Sequence, residues 1–237
     1  MRHLRGWSLL LGPVTAVAVT AGCGTTTGMP ATPATAATTS SAAAQLPDLH
    51  PAQGDLTAAL LATADLPGGY TTIDGGASPA GQLGGGVEQC GAAGGPTTAP
   101  SGASAAAQVF FQGGPIGPFL TESVTVTDGA QARESVAAMA QAASRCANFT
   151  GQVPGSAATM RMAIGQLSVG ALGDATAAVR VTATVDGFPV TIHAHLFAVA
   201  YRGLLMLVVL AQLDEVKADD AEALARKAFE KLRKLGG

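Results

Sequence analysis

Charge and aromatic rings are what this sequence has least of: 12% of its residues are charged and 4% aromatic, with one Trp and two Tyr in 237 residues. Its 13 basic side chains are outnumbered by 16 acidic ones, so there is no basic field to hold nucleic acid. Catalytic signatures are missing too. The chain has no Gly-x-Ser-x-Gly elbow, and Gly84-Gly85-Gly86 lacks the Lys and Ser/Thr of a phosphate-binding loop. Carboxylates are sparse and read as scattered over the surface, so no acid/base pair can be named. Leu204 to Leu210, the strongest apolar run after the N-terminus, is only seven residues and too short to cross a bilayer. These absences predict a binding or interaction module with no cofactor, not an enzyme.

Cysteine is scarce as well, and the three present divide by context. Arg2, His3 and Arg5 precede an uncharged apolar stretch, Trp7 to Ala21, followed by small residues. That is the order of a secretory signal peptide. Its ending, Thr20-Ala21-Gly22-Cys23, resembles the lipobox of bacterial lipoproteins, in which the cysteine becomes the lipidated first residue. Residues 1–22 are therefore expected to be a lipoprotein signal peptide and Cys23 a lipidation site, holding the protein to the extracytoplasmic face of the membrane. The alternative is an ordinary signal peptide with an incidental cysteine. Removing residues 1–22 takes away Arg2 and Arg5 and leaves a formal charge of 11 − 16 = −5. Cys90 and Cys146 remain, and in an oxidising compartment an even number predicts a disulfide rather than two buried thiols. It would close a loop of 57 residues, counted inclusively, stabilising the fold by about 4 kcal/mol on chain entropy.

After Cys23 the composition changes. Gly24 to Gln45 has no charged or aromatic residue and consists mainly of Thr, Ala, Ser, Gly and Pro. Residues 23–52 thus read as a disordered tether. From residue 53 to 237 the pattern is that of one domain. Asp55 is placed to cap a short helix carrying Leu56, Ala59, Leu60 and Ala64, which stops at Leu66-Pro67-Gly68-Gly69. Residues 75 to 104 are rich in Gly, Ala, Ser and Pro, and the disulfide is what would order them. Asp128 followed by Gln131 predicts a helix N-terminus, with Ala132, Val136, Met139, Ala140 and Ala143 on one face and an end at Cys146. A second stripe, Ala221, Leu224, Ala225, Ala228, Leu232 and Leu235, predicts a C-terminal helix with Glu222 and Arg226 four apart on its solvated face.

Between these helices the period is two. Ala175 to Val185 alternates small apolar residues at odd positions with Thr176, Arg180, Thr182 and Thr184 at even ones. Asp186-Gly187 predicts a two-residue hairpin, with the next strand starting at Phe188. That register places Arg180 opposite His193, Thr182 opposite Thr191, and Ala178 opposite His195. Leu204 to Ala211, after an Arg202-Gly203 turn, is apolar on both faces, as a covered central strand would be. Further strands are expected around Val109 to Gln112, Leu120 to Val126 and Met160 to Ile164. The fold class expected is α+β: an antiparallel sheet flanked by helices, like an α-β-α sandwich, forming a single domain after the tether.

His193 and His195 are two apart on one strand face. A zinc site needs three or four ligands and no Cys, Asp or Glu is visibly delivered there, while Arg180 across the hairpin opposes a cation. No metal is therefore expected. The remaining readings are a structural mixed face under a helix, or a polar ligand groove built from Arg180, Thr182, Thr191, His193 and His195.

Taken together, the lipobox, the Thr/Ala/Pro tether, the opening "LLATADLPGGY" (60–70) and "LGDATAAVRVTATVDGFPVTIHAHLFAVAYRGLLMLVVL" (172–210) resemble actinobacterial lipoproteins related to the extracellular sensor domain of PknH-type receptor kinases. A second resemblance is to the lipoprotein group with a photosystem-subunit-like α-β-α sandwich. The first implies an antiparallel sheet with helices packed on it and a cleft that binds an unidentified ligand. Three functions follow as expectations: a lipid-anchored domain binding a small-molecule or lipid ligand, an envelope protein that scaffolds another protein, or an enzyme using Arg180, His193 and His195. The first is preferred. A pocket on the sheet would favour it, and a flat apolar patch of several hundred Å² would favour the second.

Overall fold

A computed structural model describes residues 46–73, 103–152 and 158–236. Cys23, Cys90, residues 1–45 and residues 74–102 lie outside the described residues. Eight strands form one antiparallel sheet: β1 (Thr71–Thr72), β2 (Ala105–Gln112), β3 (Phe119–Val126), β4 (Asn148–Gln152), β5 (Thr159–Gln166), β6 (Ala175–Val185), β7 (Thr191–Tyr201) and β8 (Leu204–Gln212). Their spatial order is β1-β2-β3-β8-β7-β6-β5-β4, so β4 to β8 run as a meander whose last strand docks beside β3.

Among the described residues three α-helices cover the two faces: α1 (Gln53–Ala59), α2 (Gly129–Arg145) and α3 (Ala218–Arg233). α2 links β3 in the middle of the sheet to β4 at its edge and packs across β5 to β8. Ala132, Val136, Met139 and Ala143 of α2 meet Met162, Val179, Val181, Leu196 and Val209 there. On the opposite face Leu56 of α1 and Ala221, Ala225, Ala228 and Leu232 of α3 pack with Leu120, Val124, Phe197, Val199, Met206 and Val208. The odd residues of β6 thus bury under α2, as their alternation with polar even positions requires. β8 is buried on both faces because it pairs with β3 and β7 and has helices above and below. The fold is the expected α-β-α arrangement.

Local chemistry sets the ends of these elements. Asp128 caps α2, its carboxylate accepting the Gln131 N–H at 2.8 Å. Gly129 then donates to Asp48 at 2.9 Å, and a Cβ on Gly129 would come within 2.7 Å of that carboxylate. The Arg202-Gly203 turn has positive φ at both residues, 46° and 77°, the geometry that joins two strands in a two-residue hairpin. Arg202 also gathers the ends of the fold: its carbonyl accepts Leu49 N–H, and its guanidinium donates to the carbonyls of Pro47 and Gly236. Residues 47–49, expected in the tether, are therefore tied to the sheet.

Two local expectations are corrected. Pairing between β6 and β7 resumes at Thr184–Thr191, leaving a five-residue loop, 186–190, where a two-residue hairpin was expected. Val185 still accepts the Phe188 N–H at 3.1 Å, so the Asp186-Gly187 turn closes, but Pro189 follows it with no N–H to give a ladder and regular pairing does not continue from there. The register is displaced by two residues, which keeps every side chain on its face but places Arg180 opposite His195 and Thr182 opposite His193. The first helix also differs. Asp55 lies within its first turn and Ala52 is the N-cap, while Leu60 is extended and a separate 3-10 turn, Thr63–Asp65, follows. Ending the helix at Ala59 lets the Leu61 N–H turn inward to a buried carboxylate.

Candidate functional site

The apolar cluster beneath α1 and α3 reaches Ala178 and Phe197 and stops there. The next two pairs outward on that face, Arg180–His195 and Thr182–His193, are polar, and α3 does not cover them. They line a groove of about 290 Å³ together with Ala163, Gly165, Glu215 and Val216. Four of the five expected site residues are thus brought together. Thr191 is one pair further out, opposite Thr184, and does not line the groove.

Arg180 owes its position to Gly165, its partner on β5. A Cβ on Gly165 would come within 2.8 Å of Arg180 Nε, so the missing side chain leaves room for the guanidinium to lie across the strand. Arg180 is exposed and makes no ion pair or hydrogen bond among the described residues. His195 is its contrast: 7% exposed, with Nδ1 buried and lacking a hydrogen-bond partner among the described residues. Burial first, and then the charge of Arg180, hold its imidazole below the usual histidine pKa, against a smaller opposing pull from Glu215. The groove therefore presents one fixed cation, a neutral imidazole, the imidazole of His193, the Thr182 hydroxyl and one carboxylate. Among the described residues no group of three His, Cys, Asp or Glu is placed to hold a metal.

A further charged group on the same sheet face corrects the expectation that carboxylates lie on the surface. Glu122 of β3 is fully buried, between Val109 of β2 and Val208 of β8. One carboxylate oxygen accepts the Leu61 N–H at 2.6 Å, and the other has no partner among the described residues. Burial pushes its pKa up to about 7; the Leu61 N–H and the charge of Lys231 oppose this and Asp65 adds to it. Lys231 is held outside it, 2.7 Å from Asp65 and bonded to the Leu60 carbonyl. A signal was available in the sequence, since period two places Glu122 on the same face as Leu120, Val124 and Val126. Gly165 and Glu215 had no such signal: one depends on strand pairing and the other on where a loop returns.

No family model matches the chain, and no curated protein matches it. Among solved structures it is similar to the crystal structure of the extracellular domain of PknH from Mycobacterium tuberculosis, at 19% sequence identity and a TM-score of 0.53, over 77% of this chain and 97% of that one. The chain therefore shares the fold of the PknH extracellular domain.

Proposed function

We propose that this protein is a non-catalytic, sensor-type binding domain on the extracytoplasmic side of the cell membrane, held there by lipid on Cys23. The observation that carries the binding reading is the groove, where Arg180, which makes no ion pair among the described residues, adjoins the imidazoles of His193 and His195. A ligand that pairs with the guanidinium there exchanges its hydration for charge-assisted hydrogen bonds in a partly enclosed space. The likeness of fold to an extracellular domain supports the compartment. So does the N-terminal segment, and a Cys90–Cys146 disulfide fits the same compartment. Within this reading the partners are the membrane, through the lipid, and a small-molecule or lipid ligand.

A thermal-shift screen against envelope lipids, glycans and small metabolites tests it. A ligand at 100 times its dissociation constant adds about 2.7 kcal/mol, which for a domain of this size raises the midpoint by roughly 5–10 °C. The shift should fall by about half in Arg180→Gln, as a roughly tenfold weaker affinity requires. A blank screen on folded protein would overturn ligand binding in favour of an envelope scaffolding role. Cys23→Ser is expected to move the protein from the membrane fraction to the soluble one; retention would overturn the anchor.

A further inference from the structure

We propose that the groove holds the carboxylate of a small aliphatic acid, with Arg180 as its counter-charge and His195 as a second donor. This rests on the binding reading above and names the ligand class.

Charge decides the head group. Among the described residues Arg180 is the one Lys or Arg that lines the groove, and Glu215 brings a negative charge to the same space. A dianion such as a phosphate ester would meet one cation and one repelling carboxylate. A monocarboxylate meets the same carboxylate with half the charge to balance, and one guanidinium neutralises it through two parallel N–H···O bonds. His195 Nδ1 is sealed from the groove, so the neutral imidazole can donate to a ligand there only from Nε2. Thr182 and His193 line the same space and can add hydrogen bonds.

Size and surroundings decide the rest of the molecule. A volume of about 290 Å³ is at the small end for ligand sites, enough for the head and a few carbons. The groove lies toward the end of the sheet where β6 stops at Val185 and β7 starts at Thr191. The loops at that end carry exposed apolar side chains: Phe188 at 62%, Val190 at 40%, Leu213 at 40% and Ile116 at 71%. These are four of the five large hydrophobic residues exposed among the described residues; the fifth, Leu46, is at the opposite end beside the Arg202 turn. A chain leaving the groove in that direction meets apolar surface.

The test uses the whole chain with Cys23→Ser, which cannot be lipidated, and follows the imidazole resonances of His193 and His195. Probes are sodium octanoate, octanol, acetate and inorganic phosphate. Octanoate is expected to shift His195 saturably and to bind roughly tenfold or more tightly than each of the others. Arg180→Gln, and independently Gly165→Ala, should weaken it by a similar factor with the melting midpoint little changed. Octanol binding as well as octanoate would overturn the proposal, as would octanoate shifts that survive both variants. Phosphate or acetate outcompeting octanoate in an Arg180-dependent way would overturn the ligand class and leave the binding reading standing. No perturbation by any probe also overturns the class, and the screen above then decides the binding reading separately.

Discussion

Glu122 and His195 are two solutions to one physical problem on one face of one sheet. Each is buried, each keeps a side-chain atom without a hydrogen-bond partner among the described residues, and each has its charged form disfavoured by burial. They differ in what lies above them. Glu122 is under the α1 side of the fold, where Leu61 donates to it, whereas His195 lines a groove that α3 leaves uncovered. A polar atom that is sealed in acts on stability, because no ligand can reach it. His195 Nδ1 is sealed too, but the rest of its ring lines the groove and can act on binding.

The largest effect comes from removing the wall between the two regions. Phe197 pairs with Val208, which pairs with Glu122, and it is 1% exposed. Phe197→Ala should cost about 3–5 kcal/mol in chemical denaturation. By letting water toward Glu122 it should also flatten the pH dependence of what stability remains.

That pH dependence is the next effect. The folded protein keeps the Glu122 proton up to about pH 7, whereas the unfolded chain releases it near 4.5. The folded state binds more protons between these values, so stability is greatest below 4.5 and falls by about 3 kcal/mol as pH rises to 7. His195 works the other way. Its folded pKa lies below the ordinary 6.5, so its contribution is present above 6.5 and is lost as pH falls through the folded value. Urea denaturation from pH 4 to 8 should therefore show a net decline in the wild type. Glu122→Gln, which keeps an acceptor for Leu61, should reverse the slope, and His195→Gln should steepen it. A decline that persists in Glu122→Gln would mean that another group carries it.

Smaller effects separate binding from stability. Gly165→Ala displaces the Arg180 guanidinium across an exposed strand surface, and should change stability by less than about 1 kcal/mol while weakening ligand binding roughly tenfold. The smallest is on α3, where Glu222 and Arg226 pair at 2.7 Å with the arginine side chain 47% exposed. Glu222→Gln should cost no more than about 0.5 kcal/mol, and less in high salt.

The same contrast explains what was legible beforehand. β6 and β8 could be read because burial on one face or on two leaves a different pattern in the residues themselves. The α2 and α3 stripes could be read for the same reason, and Asp128 as a cap because its partner is three residues away. The groove was legible only as a set of residues on one face. The exact pairs within it depended on the 186–190 loop, which places Arg180 opposite His195 rather than His193. Glu122 broke an alternating apolar pattern, but a carboxylate reads as surface until the chain that covers it is known.

Local pattern by itself did not determine β1, β4 or the end of α1, but it determined the two long helices and the central strands, and that Arg180, Thr182, His193 and His195 share a face. These depend on periods of two and 3.6 and on contacts a few residues long. Tertiary structure alone decided which polar groups are sealed and which are open. Burial of Glu122 needs Leu61, 61 residues away. The groove needs Gly165 beside Arg180 and the return of Glu215 from the end of β8. Such pairings depend on how distant segments pack, and solvent access is a property of that packing.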